Sequence, residues 1–395
     1  MPEESAPMLR PEHELILLLT HPRQSPELLS RIHELVSLES HPLDWREILD
    51  QSARHRLLPL VARRTRTLGV TTPYPWLFDA AYLATRQRNL LLMDELADVL
   101  HHLHANQVDV ILRKGLILAL DSYHDLGVRR MSDIDFLIHP ESANAIKDAL
   151  LSFGYAQSEV STDGRSLTPF DRQTNLMWKL NVDNLLPFSR SAGTILLPAY
   201  SIDVCRGLSQ PRSGFAIPTT DLFERSRPFQ VGDSHTRSLS ESDFLMDLCM
   251  HLNKEATALY YINIGEDHVL SRFTDIATFI SQRTIDRESF LGIVRTYGIA
   301  EPVYYSLHFT EIVYPQTVPK DWLDALRPES LQYLDEYGSM DGERFRWLDP
   351  FLVRLFDIDR ATKAQGTSVL VASSGPQQGR GSDSHPPIVP SGAAP

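Results

Sequence analysis

Cysteine is nearly absent: Cys205 and Cys249 are the only two in 395 residues. Two thiols cannot build a disulfide framework, and no Cys/His spacing of the metal-binding kind accompanies them. Both read as buried thiols in a reducing compartment. Long apolar runs are missing as well. None approaches the roughly 18–20 residues that span a bilayer, so no membrane association is expected. The opening "MPEESAPMLRPEHELILLLTHP" lacks the basic start and long apolar stretch of a signal peptide, which makes a cytoplasmic location the expectation. Positive charge is also in short supply: 38 Lys and Arg stand against 51 Asp and Glu, a formal net charge of -13. General nucleic-acid binding needs a basic footprint and is not expected, although a local basic pocket stays open.

What remains is an ordinary globular composition, 42% hydrophobic and 23% charged, long enough for two or three domains. Residues 1–105 read as helical. Asp44 is a candidate N-cap before Trp45, Ile48 and Leu49, and Pro59 is expected to break or kink that stretch. Leu92, Leu96, Val99, Leu100 and Leu103 share one face of a further helix. From 106 to 237 the pattern changes to an α/β core. "VDVILRKG" reads as a strand, "LILALDSYHDLG" as a helix with Gly127 just past its end, and "MSDIDFLIH" as a second strand. Pro140 suits the first turn of the next helix, closed by Gly154. "TNLMWKLNV" and "TILLPAYSIDVCRGL" are the best later strand candidates.

Helical spacing returns over 238–363, with Ser240 and Asp243 as a capping box. There Val269, Phe273, Ile276, Ala277 and Ile280 form one stripe, and another helix runs from Asp286 to Gly298. Residues 364–395, rich in Gly, Ser and Pro, are expected to be a disordered tail. There is no internal repeat.

The run "DIDFLI" poses the chemical question. Along a strand, i and i+2 share a face, so Asp133 and Asp135 project together while Ile134, Phe136 and Ile138 enter the other side. Paired carboxylates repel and raise each other's pKa unless a cation neutralises them. Hard oxygen ligands suit magnesium, which takes one or two carboxylates and completes its shell with phosphate and water. A lone D-x-D is a weak signal, common on acidic surfaces. Its neighbours strengthen it. Lys114-Gly115, about 18 residues upstream, lies at a strand–helix junction where backbone N–H groups can meet an anion. Arg129 and Arg130 could screen a triphosphate. Asp203 in "YSIDVC" is a third carboxylate flanked by apolar residues pointing away. Two ions shared by three carboxylates would clamp the attacking and leaving oxygens of a displacement at phosphorus.

Lys114-Gly115, Tyr123, Arg129 and "MSDIDFLI" resemble the signature of the bacterial nucleotidyltransferase family in the DNA polymerase β superfamily. "DWREILDQSARHRLLPLV" is similar to that family's N-terminal helical region, and "LMDLCMHLNKE" with "RFTDIATFI" to its C-terminal helices. The resemblance implies an α+β fold, a minimal nucleotidyltransferase core of a short mixed sheet with helices, flanked by helical regions. It further implies that Asp133 and Asp135 bind metal, that Gly115 contacts phosphate, and that Asp203 is the third carboxylate. Two departures stand out. Gly115 is followed by Leu116 where the wider superfamily has a small residue, and Cys205 replaces the His usual after the third Asp. Asp183 in "KLNVDNLL" therefore stays a competitor for the third position.

Several side chains carry two readings. Lys114 either steadies the triphosphate or is a solvated charge. Arg129 binds phosphate or braces the loop, and Ser132 belongs to the nucleotide site or only to a turn. His251 sits on an apolar helix face, where a hydrogen-bonded core histidine is the simpler account. Asp275 either supports the site from behind or is a helix-face charge. Arg54, His55 and Arg56 read as packing and solvation, and nothing marks Cys205 as a nucleophile. The expected activity is Mg²⁺-dependent (Mn²⁺ as the alternative) transfer of a nucleoside monophosphate, AMP from ATP as the first guess. The acceptor would be a hydroxyl or amine of a small molecule, peptide or protein. Two other readings are a D-x-D nucleotide-sugar transferase, which calls for a longer doubly wound region before the motif, and a non-catalytic or antitoxin-like nucleotide-binding regulator on the same fold.

Overall fold

The computed structural model describes residues 9–38, 42–161, 166–182, 184–209, 213–338, 342, 344–360 and 362. Asp183 and the tail expected at 364–395 lie outside them. Five helices come first: α1 (Pro11–Thr20), α2 (Pro26–Val36), α3 (Trp45–Arg54), α4 (Leu58–Thr67) and α5 (Pro75–Ala105). Asp44 caps α3 by accepting from the Arg46 and Glu47 amides, and Pro59 sits in the first turn of α4, so the chain breaks there. Leu92, Leu96, Val99, Leu100 and Leu103 are buried along α5, as their spacing requires. None of the described helices is long and apolar enough to cross a membrane.

Next come β1 (Ile111–Arg113), α6 (Gly115–Asp121), β2 (Ile134–Leu137), α7 (Ala143–Ser152), β3 (Ala156–Val160), β4 (Leu167–Pro169), α8 (Arg172–Asn181), β5 (Phe188–Ser191), β6 (Ala199–Cys205), α9 (Thr219–Arg225), β7 (Arg227–Val231) and β8 (Ser234–Ser238). The strands form one mixed sheet in the order β4-β3-β5-β6-β2-β1-β8-β7. Mixed pairing agrees with the expected core, but the sheet has eight strands and is not short. The centre is β1 antiparallel to β2 and β2 parallel to β6. The β3–β5 meander lengthens one side. On the other, β8 runs parallel to β1 and forms a hairpin with β7 through a turn that opens on Gly232 at φ +55°. Strand β8 reads Ser-His-Thr-Arg-Ser, which has no apolar alternation to announce it.

The chain finishes with α10 (Glu241–Thr257), α11 (Leu259–Asn263), α12 (Leu270–Gln282), α13 (Arg287–Thr296), α14 (Ala300–Val313), α15 (Lys320–Leu326), the short β9 (Glu336–Tyr337) and β10 (Phe345–Arg346) ladder, and α16 (Phe351–Phe356). Ser240 caps α10 by accepting from the Asp243 amide and donating to its carboxylate. Asp286 caps α13, and Gly298 follows it at φ +65°. One continuous apolar core joins the two helical regions to the sheet, with Phe136, Ile138, Phe188 and Val204 fully buried. Side chains of this kind contribute roughly 1.5–3 kcal/mol each on burial.

Two local expectations are corrected. Residues 174–182, "TNLMWKLNV", read as a strand but lie largely in α8, because Asp171 accepts from the Thr174 amide at 2.6 Å and so starts a helix. "TILLPAYSIDVCRGL" is a strand only from Ala199: before it, Thr194 ties off a turn against Leu197, ahead of Pro198.

Gly127 is not the cap of α6, which ends six residues earlier, at Asp121. It is glycine for another reason: a Cβ there would fall 2.3 Å from the Tyr82 ring of α5. Tyr82 in turn donates to Asp125, whose carboxylate accepts from the Gly127 amide at 2.8 Å. Gly127→Ala should therefore destabilise the protein by about 1–3 kcal/mol in urea unfolding, as overpacking does. The penalty should shrink in a Tyr82→Ala background, and equal penalties in both backgrounds would contradict this packing account.

Candidate active site

Register brings the acidic residues together. Arg113 of β1 pairs with Asp135 of β2, and Asp135 pairs with Asp203 of β6, so three neighbouring strands put these side chains in one row. Asp133 enters two residues before Asp135. One carboxylate oxygen from each of Asp133, Asp135 and Asp203 lies within 4.8 Å of the others, and all three residues are partly exposed. Ile134 and Phe136 are buried on the opposite face.

The three carboxylates do not titrate alike. Burial raises the Asp133 pKa, and Asp135 raises it further, against a hydrogen bond from Ser132 Oγ at 2.8 Å. Burial acts in the same direction on Asp135, but Lys114 and Arg113 outweigh it, so Asp135 stays below its ordinary value. On Asp203 burial, then Asp133 and Asp135, outweigh the pull of Lys114 and Lys254 and push it up to about 7. A cluster of three carboxylates with too little positive charge around it, and with hard oxygen donors only, fits a divalent cation. Asp133, Asp135 and Asp203 are the residues that could hold one.

The surrounding charges are tightly held. Lys114 has φ +42°, a backbone conformation uncommon for a residue with a side chain. Its ammonium lies 3.9 Å from Asp135 and 3.1 Å from His251 Nδ1. Burial lowers the His251 pKa to about 3, so the ring is neutral. Its Nδ1 then accepts from Lys114, and its Nε2–H donates to Glu255 at 2.8 Å. Glu255 is clamped from its other side by Arg272, at 2.8 and 3.1 Å. Arg113 makes a two-pronged ion pair with buried Asp247 of α10 and donates to Cys205 Sγ at 2.8 Å. Burial raises the Cys205 thiol pKa, which leaves it protonated and donating to the Phe136 carbonyl. The position where the family's His was expected thus belongs to the packing around Arg113.

The loop before the motif is fixed from two directions. Arg129 is committed to Asp275 of α12 through two hydrogen bonds, at 2.9 and 2.8 Å, and Tyr123 donates to the same carboxylate at 2.9 Å. Asp275 is buried, and its pairing with Arg129 Nε and Nη2 ties the loop to α12. From α5, Asn89 donates to the Leu126 and Arg129 carbonyls, each at 2.7 Å, and Arg88 donates to the Met131 carbonyl at 3.0 Å. Gly115 begins α6 without a positive φ. A Cβ there would lie 3.6–3.8 Å from Met131 and Arg129, in ordinary contact, so the backbone does not require glycine.

Sequence reasoning missed Arg113, Asp247, Glu255, Arg272, Arg88 and Asn89. Glu255 had a usable signal, being one helical turn after His251 in α10. Arg113 adjoins Lys114 and belongs to the strand that pairs with the D-x-D strand. The partners Asp247 and Asn89 carried no local sign.

The chain matches, over residues 41–315, the model of a family described as uncharacterised nucleotidyltransferase, and it belongs to that family. Comparison with curated proteins and with solved structures gave no match. The matched span includes the whole of the sheet, the three aspartates and helices α10 and α12.

Because metal-free Asp203 must lose a proton to accept a cation, apparent Mn²⁺ affinity should fall as pH drops below about 7. Binding should release protons, and Asp203→Asn should weaken binding and flatten its pH dependence near 7. Manganese EPR titrations between pH 5.5 and 8.5 measure this; the same slope in Asp203→Asn would assign the dependence to another group.

Proposed function

We propose that the protein is a metal-dependent nucleotidyltransferase that moves a nucleoside monophosphate from a nucleoside triphosphate to a hydroxyl or amine, releasing pyrophosphate. The observation that carries this reading is the convergence of Asp133, Asp135 and Asp203 on one point, in a chain of a nucleotidyltransferase family. The acceptor atom bonds to the α-phosphorus as the bond to pyrophosphate breaks. Magnesium, or manganese in its place, would supply charge neutralisation for the triphosphate when bound by the three aspartates. ATP is the donor we favour, with AMP the group transferred.

The chain's own residues divide the remaining work. Asp203, beside Asp135 on the neighbouring strand, would receive the acceptor's proton. Ser132 orients Asp133. Lys114, aimed by the His251–Glu255 pair, would add positive charge toward the phosphates, and Gly115 would leave the start of α6 open to them. Arg129 and Asp275 act by holding the loop in place. Catalysis of this kind rests on positioning and charge stabilisation.

Helices α1–α5 precede the motif, which counts against the nucleotide-sugar reading, since that calls for a doubly wound region there. Each of the four nucleoside triphosphates with Mg²⁺ should be assayed for pyrophosphate release and for labelling of the protein itself. At least one should turn over, and Asp133→Asn or Asp135→Asn should cut the rate by about a hundredfold or more. Nucleotide binding without turnover of any of the four would favour the non-catalytic regulator. His251→Ala, which frees Lys114, should slow turnover by about tenfold without abolishing Mn²⁺ binding.

A further inference from the structure

A cavity of about 300 Å³ opens between α3, α4 and α5, lined by Ala53, Leu58, Pro59, Ala84, Thr85 and Leu196 together with three arginines, Arg56, Arg88 and Arg130. It adjoins the carboxylates: Arg88 donates to the Met131 carbonyl, two residues before Asp133, and the Asp133 charge acts on Arg88. Of the three guanidiniums, Arg56 is ion-paired with Glu266, and Arg88 also donates to the Leu196 carbonyl at 2.9 Å. Arg130 is exposed and has no hydrogen bond or ion pair to any described residue. Like charges therefore crowd one rim of the cavity. The sequence "RR" thus splits into two tasks: Arg129 turns inward to Asp275, while Arg130 turns to the cavity.

The walls are mainly apolar and the rim is cationic. A polyphosphate would leave such walls unused, whereas an anion on an apolar body would match both. We propose that this cavity seats the acceptor, and that the acceptor is a small molecule carrying a carboxylate or phosphate on an apolar body. The assignment to the acceptor rests on the nucleotidyl-transfer reading; the anion binding itself does not.

Probes of that chemistry are benzoate and phenyl phosphate, with uncharged benzamide as the control, titrated by ligand-observed NMR against the full chain without metal or nucleotide. Both anions should saturate, and benzamide should bind about tenfold more weakly, as loss of a charge-assisted hydrogen bond implies. Arg130→Ala should weaken the anions about tenfold and leave benzamide unchanged; because the side chain is exposed and makes no hydrogen bond or ion pair among the described residues, the melting temperature should hold. Absence of saturable anion binding, or equal binding to Arg130→Ala, would overturn the proposal. So would displacement of phenyl phosphate by inorganic tripolyphosphate with a matching loss of MgATP binding in Arg130→Ala, which would give the cavity to the donor. Since metal and nucleotide are left out, failure here is separable from failure of pyrophosphate release.

Discussion

Mutual repulsion among three carboxylates is the constraint that the centre of this fold is arranged to withstand. With oxygens within 4.8 Å of one another, each charged pair costs on the order of 3 kcal/mol or more in a medium of intermediate polarity. The fold tolerates this by unequal treatment. Asp135 is stabilised by Lys114 and Arg113, Asp133 is supported only by Ser132 and distant charge, and Asp203 is left to hold its proton until something positive arrives. A site left electrostatically incomplete in this way is poised for a cation. Arg113 is itself held by Asp247, and its charge still acts on Asp135.

Both helical regions take part in that arrangement. From the N-terminal side, α5 secures the 126–131 loop by its backbone through Asn89 and Arg88. From the C-terminal side, α12 secures the same loop by its side chains through Asp275, and α10 supplies Asp247, His251 and Glu255. Ion pairs this deep in the structure add little net stability, because desolvation offsets attraction, but removing one partner is costly. Their contribution is geometric. They hold a loop of several residues so that the D-x-D strand begins at the correct place beside β6.

The parts legible in the sequence were those written at short range. Alternation in "DIDFLI" located two carboxylates and their buried counterparts, helical spacing located α5 and α12, and caps at Asp44 and Ser240 located the starts of α3 and α10. Asp203 was reached through family resemblance and a strand flanked by apolar residues. What could not be read was long-range. Arg113 and Asp247 are 134 residues apart, and no local feature links Asn89 to the loop it holds. The resemblance implied a short sheet, and strand β8 is too polar to have announced the extension. Residues 174–182 were misjudged because the cap at Asp171 outweighed their strand-like appearance, and Gly127 because a ring from α5, not a helix end, demands glycine.

The central claim concerns where a divalent cation binds. Crystals grown with Mn²⁺ and a non-hydrolysable ATP analogue should give anomalous difference density within coordination distance of Asp133, Asp135 and Asp203, with the analogue's phosphates completing the shell. Manganese located elsewhere, or an ordered nucleotide whose phosphates lie away from these three aspartates, would contradict the account.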